Sequence, residues 1–373
     1  MLTKADDYPI HQTPEPIAYS GTDRNFYDRY FFNGYAPDGS EFFAVAFGVY
    51  PHLNVADAHF SIVRDGVQHC LHASRILGME RMDIEVGPIR IEILEPLRTL
   101  RVTVALTDGI AADITFRHRA FPIEEPRFIH RIGPRTFMDY TRMTQNGRYE
   151  GWIEVDGVRT AIASGTLGTR DRSWGVRPVG TPDPQPFAPA MAPGFFWLWS
   201  PLNFPDRSIY FHINADANGH PWNTRGAICP DGASAEDIVE VAAASMAIDL
   251  GPGTRHARSA VLSMAPPGQK PLRVTFEPIA RFQMRGIGYF HPRWRHGELK
   301  GERVVEREDF TLADLDVMAP ENLHIQAVSR VVLEQEGEKP LAGLGILEQL
   351  ISGPYRPLGL GDMGDPWKAM KAD

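Results

Sequence analysis

The sequence has little cysteine and no excess of basic residues, and both shortages exclude classes of protein. Cys70 and Cys229 are the two cysteines among 373 residues. Two cysteines are too few for a disulfide framework and cannot alone form a structural zinc site. Lys and Arg number 38 against 47 Asp and Glu, which gives a net charge of −9. An acidic chain without a basic run is a poor candidate for binding a nucleic-acid backbone.

Long hydrophobic runs are also missing. The N-terminal residues MLTKADDYPIHQTPEP contain no apolar core, so we predict no signal peptide. The longest uncharged stretch, residues 184–205, is broken by repeated prolines, which a membrane-spanning helix does not accommodate. We therefore expect a cytoplasmic protein that has no integral membrane segment and binds no nucleic acid. A homodimer stays open.

The common nucleotide and hydrolase motifs are absent as well. The sequence contains no GxxxxGK[ST], HExxH or GxSxG motif. Residues 359–364 match GxGxxG, but a dinucleotide site also needs a strand before the motif and a helix after it, and this stretch is a Pro- and Gly-rich tail. His69 and His72 could form half of a metal site, but no third ligand is nearby in the sequence. We predict no metal and no cofactor.

Turn residues and alternating hydrophobicity, in contrast, are abundant. The chain contains 34 glycines and 31 prolines, a density that favours many short elements. Residues 100–106 place apolar side chains at every second position, the period of a half-buried strand. Pairs typical of tight hairpins recur along the chain, namely Asp65-Gly66, Asp108-Gly109, Asn146-Gly147 and Asp156-Gly157. The best helix candidate covers residues 234–246, with Ser234 as the N-cap.

The chain also resembles itself, which predicts an internal duplication. Residues 31–66 and 195–232 share one order of aromatic strands, turns and a closing Asp-Gly pair. Three shorter matches follow in the same order: 84–88 with 248–252, 96–98 with 271–273, and 147–151 with 297–301. We predict an all-β protein of two tandem lipocalin-like antiparallel β-barrels with few short helices. The predicted boundaries are 1–180 for the first barrel, 181–193 for a Pro-rich linker and 194–373 for the second barrel.

The most unusual stretch is GTLGTRDRSWGVRP, residues 165–178, which ends the first copy. It brings together Asp171, Arg172, Trp174 and Arg177. One interpretation is a barrel-closing turn in which Asp171 pairs with an arginine and Trp174 is a plug. The other is an acid beside an aromatic wall, because a carboxyl group in an apolar pocket can hold its proton at neutral pH.

A second aromatic cluster opens the second copy. Phe195, Trp197 and Trp199 would face one way on a strand, either as simple core or as the apolar wall of a ligand cavity. His212 and Asn214, on the next predicted strand, could supply the few polar groups that orient an apolar ligand.

Glu348 is the third candidate. It lies in the apolar run LAGLGILEQL, where a strand should be buried. It is therefore either paired with an arginine or functional.

The duplicated β pattern, the run Asp171–Gly175 (DRSWG) and the run Trp197–Trp199 (WLW) resemble the carotenoid 1,2-hydratase (hydroxyneurosporene synthase) superfamily, also described as AttH-like. That resemblance implies two lipocalin-like barrels with a substrate pocket in or between them. It implies hydration or cyclisation of an alkene in a lipophilic substrate, without a redox cofactor. It also implies that Asp171 is the motif acid and Trp174 the motif aromatic residue.

Together these observations predict a cofactor-independent lyase or isomerase that uses acid catalysis on an alkene-bearing lipophilic small molecule, such as an isoprenoid or a prenylated or aromatic compound. The predicted catalytic residues are Asp171, Trp174, His212 and Glu348, and the predicted substrate-binding residues are Arg172, Arg177, Trp197, Trp199, Asn214 and Phe195. Three alternatives remain: a carrier that binds an apolar ligand without altering it, a pericyclase that only folds its substrate, and a decarboxylase-type lyase.

Overall fold

The computed structural model describes residues 2–11, 23–182, 185, 188, 194–362 and 364–367. Most of the predicted linker 181–193 lies outside the described residues. The chain divides into two compact units: unit 1 contains residues 1–190 and 285–313, and unit 2 contains residues 191–284 and 314–373. In the described part of the chain, no helix has both the length and the apolar character to cross a bilayer.

Unit 1 is built on one antiparallel sheet, with 14 strands among the described residues. The strands are β1 Phe26–Tyr35, β2 Glu41–Tyr50, β3 Val55–Arg64, β4 Val67–Ile76, β5 Glu85–Val86, β6 Ile89–Glu95, β7 Thr99–Thr107, β8 Ile110–His118, β9 Ile123–Glu124, β10 Phe128–Ile132, β11 Arg135–Val155, β12 Val158–Ala161, β13 Leu167–Val176 and β21 Arg303–Thr311.

Unit 2 is built on a second antiparallel sheet, with nine strands among the described residues. They are β14 Phe195–Asn203, β15 Arg207–Ala215, β16 Pro221–Pro230, β17 Val239–Val241, β18 Ala243–Leu250, β19 Ala257–Ala265, β20 Leu272–Gln283, β22 Ile325–Gln335 and β23 Leu341–Ser352. The helices described in the chain are short 3-10 turns at Lys4–Asp7, Pro51–Leu53, Ala235–Asp237, Met284–Ile287, Leu312–Asp314, Pro320–Asn322 and Arg356–Leu358.

The two sheets share one winding. The order in unit 1 is β21-β4-β3-β2-β1-β13-β11-β8-β7-β6-β5, and the order in unit 2 is β17-β16-β15-β14-β23-β22-β20-β19-β18. The nine strands that run from β4 to β6 in the first order therefore correspond one by one to the nine strands from β17 to β18 in the second. The prediction of an all-β fold, with two antiparallel sheets related by duplication, is confirmed.

The duplication is present, but only one of the four sequence matches lies on corresponding strands. Residues 31–66 and 195–232 do lie on corresponding strands. Residues 84–88 join β5 to β6, whereas 248–252 join β18 to β19, which is one hairpin further along the matched order. The next match is displaced in the same way. Residues 297–301 belong to unit 1, so the last match is wrong.

The backbone angles confirm the predicted Asp-Gly turns, but the turn predicted at one Asn-Gly pair is absent. At 65–66 the residues have φ values of 50° and 76°, as a two-residue hairpin turn of type I′ requires. Gly147, however, lies inside β11, where an added Cβ would be 2.2 Å from the Phe116 ring. Close packing explains this glycine, and the turn predicted there is wrong.

The predicted helix at residues 234–246 is also wrong. Only Ala235–Asp237 form a 3-10 turn, and the following residues form β17 and β18. β18 pairs along its length with β19, so sheet hydrogen bonds override the helix propensity of this alanine-rich stretch.

The predicted second barrel differs from unit 2 in one segment. Residues 285–313 belong to unit 1, because β21 pairs with β4 from Arg303 opposite Arg75 to Thr311 opposite Val67. A linear domain boundary could not anticipate this return of the chain.

The strands of unit 1 that carry the candidate site are buried on both faces. On β1 and β2, side chains such as Tyr30, Phe32, Val45 and Phe47 enter the apolar core. The alternate side chains point away from that core, yet nearly all of β1, β2 and β3 is buried. A strand buried on both faces normally reads as continuously apolar, so polar residues on the second face are notable.

Candidate functional site

A buried polar face lies on unit 1, on the side of β1–β4 that points away from the apolar core. On β3, Asp57, His59 and Ser61 alternate with core residues, so all three share this side. The β3–β4 register places His59 opposite His72. Asp57, His59 and His72 are each at most 2% exposed. We call this surface the polar face.

A segment from unit 1, residues 285–300, covers the polar face. The backbone N–H of Gly297 donates a hydrogen bond of 2.6 Å to Oδ2 of Asp57. A Cβ added at Gly288 would lie 2.9 Å from Nε2 of His59, and one added at Gly286 would lie 2.9 Å from Oγ of Ser61. These glycines allow the backbone to approach the polar face closely. We call this stretch the covering segment.

Asp57 is the carboxyl group at the centre of the polar face. Its Oδ1 accepts a hydrogen bond of 3.1 Å from the Tyr50 hydroxyl. Burial raises the pKa of Asp57 to about 7, although the Gly297 N–H and the positive charge of Arg29 pull it down. Near neutral pH the carboxyl group is therefore divided between its protonated and ionised forms, as a general acid requires.

His59 and His72 form a hydrogen-bonded pair whose direction the surrounding charges assign. Their Nδ1 atoms are 2.8 Å apart, so one ring donates and the other accepts. Nε2 of His72 lies 3.8 Å from Oε2 of Glu308. Burial works against ionisation of Glu308, but the hydrogen bond from His291 and the neighbouring His72 ring lower its pKa, so it is anionic at neutral pH.

An anionic Glu308 favours the His72 tautomer that carries its proton on Nε2. Nδ1 of His72 then accepts from His59, and Nε2 of His59 keeps a lone pair. That atom lies 3.8 Å from Oδ1 of Asp57. Burial, followed by the neighbouring His72 and Arg29, holds the pKa of His59 well below its usual value, so the ring is neutral at pH 7. An acid and a neutral base therefore face each other.

Two groups on this face have the spacing of metal ligands. They are Asp57, His59 and His296, and His72, His291 and Glu308. Nδ1 of His291 accepts from the backbone N–H groups of Arg293 and Trp294, so its Nε2 carries the proton donated to Glu308. Binding a metal through Nε2 would require an imidazolate.

The group that contains Asp57 has a different obstacle. The positive charges of Arg29 and Arg177 both act on Asp57. A positive potential disfavours a divalent cation at this position. We therefore propose no metal site here, and the sequence-based expectation of none stays a prediction.

Asp171 and Trp174 lie on opposite faces of β13, so the predicted pairing of acid and aromatic wall is wrong. Asp171 is opposite Phe31 on β1 and opposite Thr144 on β11, which places it on the polar face. Trp174 is three positions further along the strand and therefore points to the other side. There its ring stacks on His11 at 3.7 Å.

Arg172 shares the Trp174 side of β13 and has a structural environment. It forms a buried ion pair of 2.6 Å with Asp28 and donates to the backbone oxygen of Tyr8. Its guanidinium group also lies 3.8 Å from the centre of the Tyr30 ring. Arg177, in contrast, lies over the Tyr27 ring at 4.5 Å.

In unit 2, the predicted residues of β14, β15 and β23 share one face. Register pairs connect Trp197 with Asn214, Trp199 with His212, and Trp199 with Glu348. All five are at most 7% exposed. Phe195 is half-buried and two positions before Trp197 on the same side of β14. Nε2 of His212 is 2.6 Å from Oδ1 of Asn223.

Glu348 accepts three hydrogen bonds, none of them from an arginine. Nε1 of Trp197 donates at 2.7 Å, Nε2 of His324 lies at 2.9 Å, and Nε2 of Gln326 donates at 2.5 Å. Burial opposes ionisation, but His324, Gln326 and Trp197 outweigh it and lower the pKa of Glu348. The predicted alternative of an arginine partner is therefore wrong.

Two surface pockets lie away from both groups of residues. A pocket of about 510 Å³ in unit 2 is lined by residues such as Ser263, Arg273 and Glu334. One of about 400 Å³ in unit 1 is lined by residues such as Trp152 and Arg159. Neither lining includes the polar face or Glu348.

Sequence analysis missed Asp57, His59, His296 and Glu308. A signal for the first two was present, because residues 57, 59 and 61 are polar at every second position of an apolar strand. That pattern predicts one polar face. The contributions of His296 and Glu308 depend on the return of residues 285–313 to unit 1, which no local pattern reveals.

Comparisons with known proteins assign the chain to a family. A family model described as a family of unknown function, DUF8625, matches residues 2–361. The chain belongs to DUF8625. No curated protein matches the chain.

Solved structures resemble this DUF8625 chain in fold. The crystal structure of CghA with Sch210972 has a TM-score of 0.50 at 12% identity, covering 89% of this chain and 89% of CghA. A second structure of CghA gives 0.48 at 12% identity, covering 92% and 95%. Kievitone hydratase from Nectria haematococca gives 0.48 at 15% identity, covering 87% and 89%. At this level of identity the match with the first CghA structure establishes a shared fold.

Proposed function

We propose that the protein is an acid–base enzyme of the hydratase or cyclase type that acts on an alkene-bearing lipophilic small molecule and needs no redox cofactor. The observation that carries the proposal is the pairing, 3.8 Å apart, of a buried Asp57 carboxyl group with a neutral His59. The proposal keeps the reaction class that the DRSWG resemblance implies, but moves the proton donor from Asp171 to Asp57.

Hydration would proceed in three proton transfers. Asp57 gives its proton to one alkene carbon, and the neighbouring carbon becomes cationic. A water oxygen bonds to that carbon while Nε2 of His59 accepts the water proton. Transfer of that proton back to Asp57 restores both groups, so the net reaction adds one water to one double bond. In a cyclase, a second double bond of the substrate replaces the water, and Nε2 of His59 then accepts a proton from the cation that ring closure leaves, so the product is an isomer of the substrate.

An aromatic side chain of the polar face, Tyr50, would stabilise the cation. Its hydroxyl group donates a hydrogen bond to Asp57, which places its ring beside the proton donor. An aromatic ring face contributes about 0.5–2 kcal/mol to a nearby cation. Because Asp57 is 2% exposed, the proposal requires the covering segment to move aside when the substrate binds.

In unit 2 we propose a binding role for the Glu348 face. Its lowered pKa keeps Glu348 ionised, so it suits stabilisation of a cation between the indoles of Trp197 and Trp199 better than proton donation. His212 and Asn214 would orient polar groups of a ligand on the same face.

The test is turnover in isotopically labelled water. Wild-type protein is incubated with a panel of prenylated phenols, isoprenoid alcohols and polyenes in ordinary water, in H₂¹⁸O and in D₂O, and products are detected by mass spectrometry. A hydratase adds one ¹⁸O from H₂¹⁸O, whereas an acid-initiated cyclase gives an isomer that takes up deuterium in D₂O. We expect Asp57→Asn to lower turnover at least about 100-fold, the usual contribution of a general acid.

Two matched variants accompany the test. Asp38→Asn replaces an exposed turn aspartate of the same unit, and Asp171→Asn replaces the acid that the sequence predicted. Full turnover by Asp57→Asn would refute the proposal, and loss in Asp171→Asn alone would return the donor role to Asp171. An isomer without deuterium, formed equally by all variants, would mean that the protein only folds its substrate. Binding without any product would mean a carrier.

A further inference from the structure

Arg29 is a buried guanidinium group without a hydrogen-bond acceptor. It lies on β1 and is 1% exposed. Among the described residues, none of its three guanidinium nitrogens makes a hydrogen bond, and no carboxylate forms an ion pair with it. Its guanidinium group lies over the face of the Tyr289 ring, with the ring centre 4.6 Å away.

Other buried arginines of unit 1 have the carboxylate partner that Arg29 lacks among the described residues. Arg170 is paired with Asp7 at 2.5 Å, and Arg172 with Asp28 at 2.6 Å. A buried charge without a partner is strongly unfavourable, so folded proteins almost always pair it. Arg29 is an exception, and its position on the polar face indicates that a bound ligand supplies its partner.

The charge around Arg29 favours an anion. Arg177 lies over the same Tyr289 ring, with the ring centre 5.7 Å away. The positive charges of Arg29 and Arg177 both act on Asp57. At least two positive groups thus lie near one carboxyl group. Guanidinium groups bind carboxylates and related oxyanions through two parallel N–H donors.

We propose that Arg29 binds an anionic oxygen group of the ligand, a carboxylate or a similarly delocalised oxyanion such as an enolate or a phenolate, attached to a lipophilic body. This inference rests on the proposed function, because it names the substrate class of the same polar face. The anion binds Arg29, and the lipophilic part extends towards Asp57. In the sheet register, Gly48 on β2 lies between them, opposite Arg29 on β1 and opposite Asp57 on β3.

The first experiment measures thermal unfolding of Arg29→Met in a low-salt buffer without carboxylates. Removing an unpaired buried charge should raise the melting temperature by about 2–4 °C. The matched control Arg172→Met should lower it, because that change leaves Asp28 buried without its partner. A fall in Arg29→Met as large as in Arg172→Met would overturn the proposal, and Arg29→Gln serves as a second variant that retains polarity.

The second experiment adds acetate, benzoate or 2-naphthoate, each with its methyl ester as a neutral counterpart. We expect at least one carboxylate to raise the melting temperature of the wild type, with no such rise for its ester or for Arg29→Met. No difference between the wild type and Arg29→Met with any of the three carboxylates would refute the proposal. Neither experiment depends on turnover, and Asp57→Asn should retain the carboxylate effect even where it loses activity, so the two proposals can fail separately.

Discussion

Asp57 in unit 1 and Glu348 in unit 2 are both buried carboxyl groups on the sheet face that points away from the apolar core, yet their pKa values shift in opposite directions. Burial raises the pKa of Asp57 to about 7. Glu348 is buried too, but hydrogen bonds from His324, Gln326 and Trp197 lower its pKa. Burial alone therefore does not determine protonation, because the set of donors around the carboxylate can reverse its effect.

The matched winding of the sheets gives this comparison a structural basis. Asp171 on β13 lies opposite Phe31, as Glu348 on the corresponding β23 lies opposite Trp199. When these two acids are taken as equivalent, the row Arg29, Gly48 and Asp57 across β1–β3 corresponds to the row Trp197, Asn214 and Asn223 across β14–β16.

The charged row of unit 1 thus corresponds to an aromatic and amide row in unit 2. The two copies keep the same sheet order and differ in the chemistry of their polar face. A proton donor is expected in unit 1, where Asp57 stands at the position that Asn223 occupies in unit 2.

The largest predicted effect concerns Glu348. Glu348→Ala should lower the free energy of unfolding by about 3–5 kcal/mol, because three buried N–H donors lose a charged acceptor. Urea denaturation at pH 7 measures the change. Glu334→Ala, which removes an exposed partner of Arg273 in the same unit, should cost less than about 1 kcal/mol. Equal losses in the two variants would show that the donors do not hold Glu348.

The next effect has the opposite sign and depends on pH. The folded-state pKa of Asp57 is raised, so its stabilising contribution is complete below the unfolded value near 4 and is lost as the pH rises through about 7. Asp57→Asn should therefore stabilise the protein at pH 8 by about 1–3 kcal/mol and leave it almost unchanged at pH 4.

Glu348 should show the reverse dependence, since its lowered pKa gives stability above the unfolded value of about 4.5 that is lost as the pH falls. Denaturation curves of wild type, Asp57→Asn and Glu348→Gln from about pH 3, below the unfolded pKa of a glutamate, to about pH 8 test both signs. Parallel pH profiles for the wild type and Asp57→Asn would contradict the account of Asp57.

The smallest effect tests the faces of β13. Because Asp171 and Trp174 point to opposite sides, Asp171→Asn and Trp174→Phe should add within about 0.5 kcal/mol in a double-mutant cycle. Trp197→Phe removes the donor of one hydrogen bond and Glu348→Gln removes the charge of its acceptor, so these two changes should instead couple by about 1 kcal/mol or more. Strong coupling between Asp171 and Trp174 would restore the acid-and-aromatic pair that the sequence suggested.

The sequence predicted the all-β fold and its duplication because strand alternation and Asp-Gly turns are local signals. It also placed Trp197 and Trp199 on one side of a strand, since alternation along β14 puts the two indoles together, whereas the position of Glu348 beside them came only from the structure. The predicted pairing of Asp171 with Trp174 was wrong. The same alternation rule would have shown this, because two residues three positions apart on a strand point to opposite faces.

The rest of the site depends on contacts distant in the sequence. His296 and Glu308 reach the polar face through a chain segment that leaves unit 2 and returns to unit 1. The raised pKa of Asp57 follows from burial, which a strand pattern does not reveal when both faces are covered. The unpaired charge of Arg29 is visible only once the partners of the other arginines are known.

The NMR resonance of the Asp57 carboxyl group reports directly whether this group holds a proton near neutral pH. Protein with ¹³C-labelled aspartate carboxyl groups is titrated by NMR from pH 3 to pH 9, with Asp57→Asn used to assign the signal. The account predicts a titration midpoint near 7 for Asp57. A midpoint below about 5, in the range of ordinary aspartates, would contradict it.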